Sequence, residues 1–122
     1  MSKKIVIIDD DKVTLTILTM TLLRQKYQIF SALDGAEGWD LIMKEKPDIV
    51  ISDMLLPKID GISLCQKIKA NSDLKGIKVI LMSAIKNLAL QMEAKGSGAD
   101  EFIEKPIDMN GLLNLLNKFK TD

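Results

Sequence analysis

The chain contains no histidine. That excludes a His-ligated metal, a histidine general base and a phosphohistidine formed on the chain itself. A single cysteine, Cys65, excludes an internal disulfide. Its expected role is that of a small apolar residue in a helix rather than a reactive thiol. Aromatic side chains are sparse and proline-rich or low-complexity tracts are missing, so neither an aromatic cofactor sandwich nor a flexible linker is in prospect. There is no excess of either charge: Lys+Arg and Asp+Glu are both 17. A nucleic-acid-binding surface usually carries a basic surplus, so no nucleic-acid partner is expected. No apolar run approaches a membrane span of roughly 20 residues. After Met1-Ser2-Lys3-Lys4 the next apolar run is only residues 5–8, too short for a secretory signal. The reading is a cytoplasmic protein without a membrane partner.

What is present is an ample core. The 122 residues are 47% apolar, enough for one domain spanning residues 1–122. Short β-branched runs alternate with helical patterns. Strands are expected at residues 5–8, 27–32, 49–51 (within the segment 48–52), 78–82 and 101–104. Helices are expected at about residues 13–25, 36–45, 62–70, 87–95 and 109–120, with Asp34-Gly35 as a turn and Pro47 as a breaker. Strand–helix alternation predicts an α/β fold: a doubly wound, five-stranded parallel sheet with helices on both faces. Ligands in such sheets bind beyond the carboxyl ends of the strands, at a topological switch point.

Those strand ends carry a consistent chemistry. Asp9-Asp10-Asp11 follows the first strand, Asp53 the third, Ser83-Ala84 the fourth and Lys105-Pro106 the fifth. Packed carboxylates repel unless a proton or cation neutralises them. An oxygen-only donor set suits Mg²⁺, with Mn²⁺ as the alternative. A carboxylate beside a bound phosphate can attack phosphorus and form an acyl phosphate. Phosphoryl transfer depends on positioning and on neutralising the equatorial oxygens. The cation, the Lys105 ammonium and the Ser83 hydroxyl would share that task. Each residue also has an ordinary explanation. Asp11 is as readily a helix N-cap as a ligand, Ser83 could cap a helix, Lys105 could be a surface lysine and Asp53 a turn former.

In these stretches the sequence resembles the receiver domain of bacterial response regulators, the family that includes the chemotaxis protein CheY. The matching segments are Ile5-Val-Ile-Ile-Asp-Asp-Asp11, Ile49-Val-Ile-Ser-Asp-Met-Leu-Leu-Pro57 with Asp60-Gly61, Val79-Ile-Leu-Met-Ser-Ala84 and Gly98-Ala-Asp-Glu-Phe-Ile-Glu-Lys-Pro106. The resemblance implies the flavodoxin-like strand order 2-1-3-4-5 and a phosphorylatable switch of a two-component system or phosphorelay. It implies Asp53 as phosphoacceptor, with Asp9, Asp10, Asp53 and the Leu55 carbonyl around Mg²⁺. Ser83 becomes the switch hydroxyl, Lys105 the phosphate-pairing lysine before a cis proline, and Phe102 the aromatic that moves between exposed and buried rotamers. The donor would be a sensor histidine kinase or a histidine phosphotransfer protein. Output would pass to an effector protein through the surface of the fourth helix, fifth strand and fifth helix. The chain itself would catalyse only its own phosphorylation and dephosphorylation.

Two features go beyond the shared pattern. Leu55 and Ile85, each two residues past a site residue, are apolar and would order an attacking water poorly, so a long-lived phosphorylated state is expected. The first helix is unusually apolar. Ile17, Leu18 and Leu22 suit the core, while Val13, Leu15, Met20 and Leu23 exceed one stripe. A broadly buried helix is the expectation, with docking of a kinase or phosphotransfer helix as the alternative.

The rival enzyme reading is a haloacid-dehalogenase-like phosphatase. Asp9-Asp10-Asp11-Lys12-Val13 fits its D-x-D-x-[TV] pattern, with Asp9 as nucleophile and Asp11 as acid/base, but Asp53 is then unexplained. A flavodoxin-like electron carrier needs a Ser/Thr/Gly-rich phosphate loop where this chain has three aspartates.

Overall fold

The computed structural model describes residues 3–84 and 87–120. Five strands, β1 (Lys4–Ile8), β2 (Gln28–Ala32), β3 (Ile49–Asp53), β4 (Lys78–Ser83) and β5 (Glu101–Glu104), alternate with five helices. These are α1 (Lys12–Arg24), α2 (Gly35–Glu45), α3 (Gly61–Ala70), α4 (Leu88–Gly96) and α5 (Met109–Lys120). All strand pairs are parallel and the order is β2-β1-β3-β4-β5, as expected. The chain reverses direction across the sheet between β1 and β3, where Ile8 pairs with Ser52. That reversal is the switch point.

Period-two alternation sorts the strand residues to two helical layers. Ile5 and Ile7 of β1, with Ile49, Ile51, Ile80 and Met82, pack with Leu15, Leu18, Leu22, Leu112 and Leu116 of α1 and α5. Val6 and Ile8, with Val50, Val79 and Leu81, pack with α2, α3 and α4 through Ile42, Leu64, Cys65, Ile68 and Ala94. Each fully buried branched side chain contributes about 2 kcal/mol. Cys65 is fully buried and burial raises its thiol pKa, in keeping with the structural role expected of it.

Helix starts are set by side-chain caps. Asp11, Asp34, Asp60 and Asn87 accept hydrogen bonds from the first-turn amides of α1, α2, α3 and α4. Asp34-Gly35, expected as a turn, is therefore a cap and the first helical residue. Gly35 is required there because a Cβ would overlap the Ile59 carbonyl. β3 runs two residues further than expected and β4 one, so Asp53 and Ser83 end strands instead of following them.

The broadly buried α1 is corrected. Leu15, Leu18 and Leu22 form its core face, while Ile17 is 48% exposed and Val13, Met20 and Leu23 are 66%, 53% and 53% exposed. Ile17, one step from Leu18, is turned about 100° off the sheet, whereas Leu15, three residues before Leu18 and seven before Leu22, shares their face. No helix among the described residues is long and apolar enough to cross a membrane.

Candidate phosphoryl-transfer site

The candidate residues meet at the carboxyl edge of the sheet. β1 ends at Ile8, so Asp9 leaves the strand directly above the core. Its amide donates to the Ala32 carbonyl at 3.1 Å and its side chain is fully buried. Asp10 is exposed and Asp53 half-buried. One carboxylate oxygen from each of Asp9, Asp10 and Asp53 lies within 4.8 Å of the others. Three converging hard donors, with no nitrogen or sulfur donor among them, fit a small divalent cation.

Lys105 reaches this cluster from the far side. Its backbone amide donates to the Ser83 carbonyl at 2.9 Å, which ties the loop after β5 to the end of β4. Its ammonium donates to Asp9 Oδ2 at 2.7 Å and to Asp53 Oδ2 at 2.9 Å. The Lys105–Pro106 peptide is cis, as expected from the resemblance. Burial of Asp9 raises its carboxyl pKa, against the opposing hydrogen bonds from Lys105 and the Asp11 amide. For Lys105, burial acts to lower the pKa, but the hydrogen bonds to Asp9 and Asp53 outweigh it and the ammonium is held above its ordinary value.

The other candidates fall as follows. Asp11 caps α1, accepting from the Val13 amide at 3.1 Å and the Thr14 hydroxyl at 2.6 Å. These bonds lower its pKa. Asp11 thus takes the capping role of its two expected roles. Ser83 is buried at the end of β4, one residue past Met82, the β4 partner of Asp53. Leu55 is 51% exposed and its amide donates to Asp53 Oδ1 at 3.2 Å. Phe102 is half-buried, packed on the core beside a groove of about 340 Å³ between α4 and β5. Ile85 lies outside the described residues.

Three contacts were not anticipated. Lys105 holds Asp9 as well as Asp53. The Leu55 amide orients Asp53 from its other oxygen. Gly61 opens α3 directly against Asp53, where a Cβ would overlap the Asp53 carbonyl, and its amide donates to the Met54 carbonyl at 2.9 Å. The Gly61 contact has a sequence signal in Asp60-Gly61, a cap followed by a residue without a side chain.

Fold and site together define a doubly wound α/β protein with an acidic, lysine-gated pocket at its switch point. The chain belongs to the response regulator receiver domain family, whose sequence model matches residues 5–117. It is a phosphorylatable switch of two-component signalling. Sporulation initiation phosphotransferase F of Bacillus subtilis is 33% identical over 119 residues, covering 98% of this chain and 94% of that protein. The DNA-binding dual master transcriptional regulator RpaA of Synechocystis is 31% identical over 110 residues, covering 90% of this chain. The chain spans only 46% of RpaA and 24% of the response regulator PleD of Caulobacter vibrioides. Among solved structures, the signal receiver domain of a signal transduction histidine kinase from Syntrophus aciditrophicus superposes with a TM-score of 0.91 at 30% identity, covering 97% of this chain and 89% of that one. The haloacid-dehalogenase reading gains no support: its acid/base, Asp11, is engaged as a helix cap, and the family whose model matches is that of receiver domains.

Proposed function

We propose that Asp53 is the phosphoacceptor of this receiver, in a Mg²⁺-dependent transfer from a phosphohistidine on a sensor kinase or phosphotransfer protein. The observation that carries this reading is the Asp9–Lys105–Asp53 bridge beside Asp10. An Asp53 oxygen forms the new bond to phosphorus while the bond from phosphorus to the donor imidazole breaks, and the imidazole leaves with that electron pair. Asp9, Asp10, Asp53 and the Leu55 carbonyl are the residues that would hold Mg²⁺, or Mn²⁺ in its place. Bound there, the cation would offset the charge of the clustered carboxylates and of a phosphoryl oxygen. Lys105 turns from its carboxylate partners to a second oxygen, and the Ser83 hydroxyl supplies a third contact. The acyl phosphate carries nearly two negative charges where the carboxylate carried one, together with new acceptor oxygens, enough to redraw this network. Ser83 drawn toward it leaves room for Phe102 to move inward, which reshapes α4, β5 and α5 for an effector.

The domain extends over residues 1–122, works in the cytoplasm with its donor, binds neither nucleic acid nor membrane and catalyses only its own phosphorylation and dephosphorylation. Docking of the donor is supported by an apolar groove of about 300 Å³ that joins Ile17 of α1 to Pro106 and Met109 beside Lys105. The test is intact-protein and peptide mass spectrometry after treatment with acetyl phosphate and Mg²⁺. One phosphoryl adduct on Asp53, lost in Asp53→Asn and retained in Asp11→Asn, is expected. An adduct on Asp9 would restore the phosphatase reading.

A further inference from the structure

We infer that the outward face of α1 is a self-complementary docking surface for a second copy of this chain. Val13, Ile17 and Met20 are each about half or more exposed. With Arg24 they share one face of the helix, at spacings of four, three and four residues. That pattern reads the same in both directions. An antiparallel second copy sets Ile17 against Met20 and Met20 against Ile17, so one two-fold axis satisfies both contacts. The same register sets Val13 against Arg24, whose methylene stem can lie over an apolar side chain while its head reaches further.

Charge selects the antiparallel direction. The start of α1 carries Asp10, Asp11 and Lys12, a net charge of −1, and the end carries Arg24 and Lys26, a net charge of +2. Asp10, Asp11, Arg24 and Lys26 are all exposed. In the Ile17–Met20 register Asp11 faces Lys26 of the second copy, and Arg24 reaches the acidic end. A parallel pair would place like charges together at both ends. Leu23, 53% exposed, widens the apolar strip on one side. The strip runs about 15 Å from Val13 to Leu23 at 1.5 Å per residue, well beyond the end that adjoins Lys105. A single helix pair is smaller than a standard stable interface, so the association is weak and concentration-dependent. It covers Val13 and Ile17, and therefore competes with any phosphodonor that uses the groove beside Pro106.

The decisive experiment uses two complementary variants. Analytical ultracentrifugation of the full chain from about 10 µM to about 1 mM should show a monomer–dimer equilibrium. Ile17→Glu alone and Met20→Lys alone should each remain monomeric, since each places two unpaired charges on the two-fold axis. Mixing the two should restore a one-to-one dimer at least about tenfold tighter than either variant with itself, through one Glu–Lys contact and one Met–Ile contact. Thermal melts should coincide with the parent, because both positions are exposed. Acetyl phosphate should still modify Asp53 in the Met20→Lys variant, whose position lies outside the groove beside Lys105, which separates this proposal from the phosphoacceptor assignment. A parent chain that stays monomeric at every concentration overturns the inference, as does a dimer indifferent to both substitutions. A monomeric parent whose variants lose only donor-dependent phosphorylation assigns the strip to the donor and also overturns it.

Discussion

Lys105 donates to Asp53 Oδ2 at 2.9 Å across 52 positions of sequence. Its loop is pinned to β4 by a main-chain bond to Ser83, so the ammonium is aimed by the sheet. Replacing it by Met removes the counter-charge of the fully buried Asp9. With the Lys105 side chain only 18% exposed, the loss at neutral pH should be about 1–3 kcal/mol. The native ammonium pKa is raised, so the protonated form stabilises the fold. That contribution is complete below the unfolded lysine value and disappears as pH rises through the native one. Urea titrations should therefore show the Lys105→Met deficit at pH 7 shrinking in strongly alkaline solution. A deficit independent of pH would show that the bridge contributes nothing through charge.

Asp9 follows the same direction with pH, but in the acidic range and with its charged form disfavoured. Its native carboxyl pKa is raised, chiefly by burial. A raised carboxyl favours the protonated form, so this group's contribution declines as pH rises from the unfolded value through the native one. In chelator-treated protein, Asp9→Asn should escape that decline, and its stability relative to the parent should improve between strongly acidic and neutral pH. The same variant should lose the stabilisation that Mg²⁺ gives the parent. Parallel melts with and without Mg²⁺ measure both effects. Full retention of Mg²⁺ stabilisation would remove Asp9 from the cation site.

Much of this architecture was legible in the sequence because each strand is a β-branched run bounded by cap and turn residues. The acidic, serine and lysine positions then fell at four strand ends, where a parallel sheet places ligands. Less legible was anything decided by rotation about a helix or by close approach between elements. Ile17 and Leu15 exchanged their expected places because seven apolar residues in α1 fit more than one helical phase, and only packing against β1 and β2 selects Leu15, Leu18 and Leu22. Gly35 could not be assigned as helical from an Asp-Gly pair alone. Its role depends on Ile59, which approaches from a different loop.

Gly61 gives a contrast with Gly96. A Cβ at Gly61 overlaps the Asp53 carbonyl, whereas at Gly96 nothing lies within 4 Å. Gly61→Ala should force β3 and α3 apart, costing about 1–3 kcal/mol. Because the displaced backbone is that of Asp53, acetyl phosphate labelling should fall as well. Gly96→Ala, at the last residue of α4, should be neutral or stabilising by up to about 1 kcal/mol with labelling unchanged. Equal effects of the two substitutions would mean that the close approach at Asp53 has no functional weight.

Lys46 caps α2 with φ at 45°, in the left-handed region that favours glycine. Non-glycine residues there carry a cost of about 1 kcal/mol. Lys46→Gly should recover part of it, about 0.5 kcal/mol after the added flexibility of the unfolded chain. A shift in the urea midpoint with unchanged slope measures the gain. An unchanged or lower midpoint would show that the lysine side chain compensates for its backbone.

Leu55 bears on how long the signal lasts. Its amide is committed to Asp53 Oδ1, and its side chain, two residues past Asp53, is half-exposed. Dephosphorylation requires a water to approach phosphorus opposite the Asp53 oxygen. An apolar side chain two residues past Asp53 offers the water no hydrogen bond, so the orientation that a polar group could enforce is missing. The phosphorylated state should therefore be long-lived, and Leu55→Asn or Leu55→Glu should shorten it by about tenfold or more, within the range a positioned polar group supplies. Loss of the phosphoryl adduct, followed by mass spectrometry after removal of acetyl phosphate, gives the rate directly. Because the substitution leaves the Leu55 amide in place, the rate of adduct formation should change much less than its decay. A parent half-life of seconds, unmoved by either substitution, would show that water is oriented without help from this position.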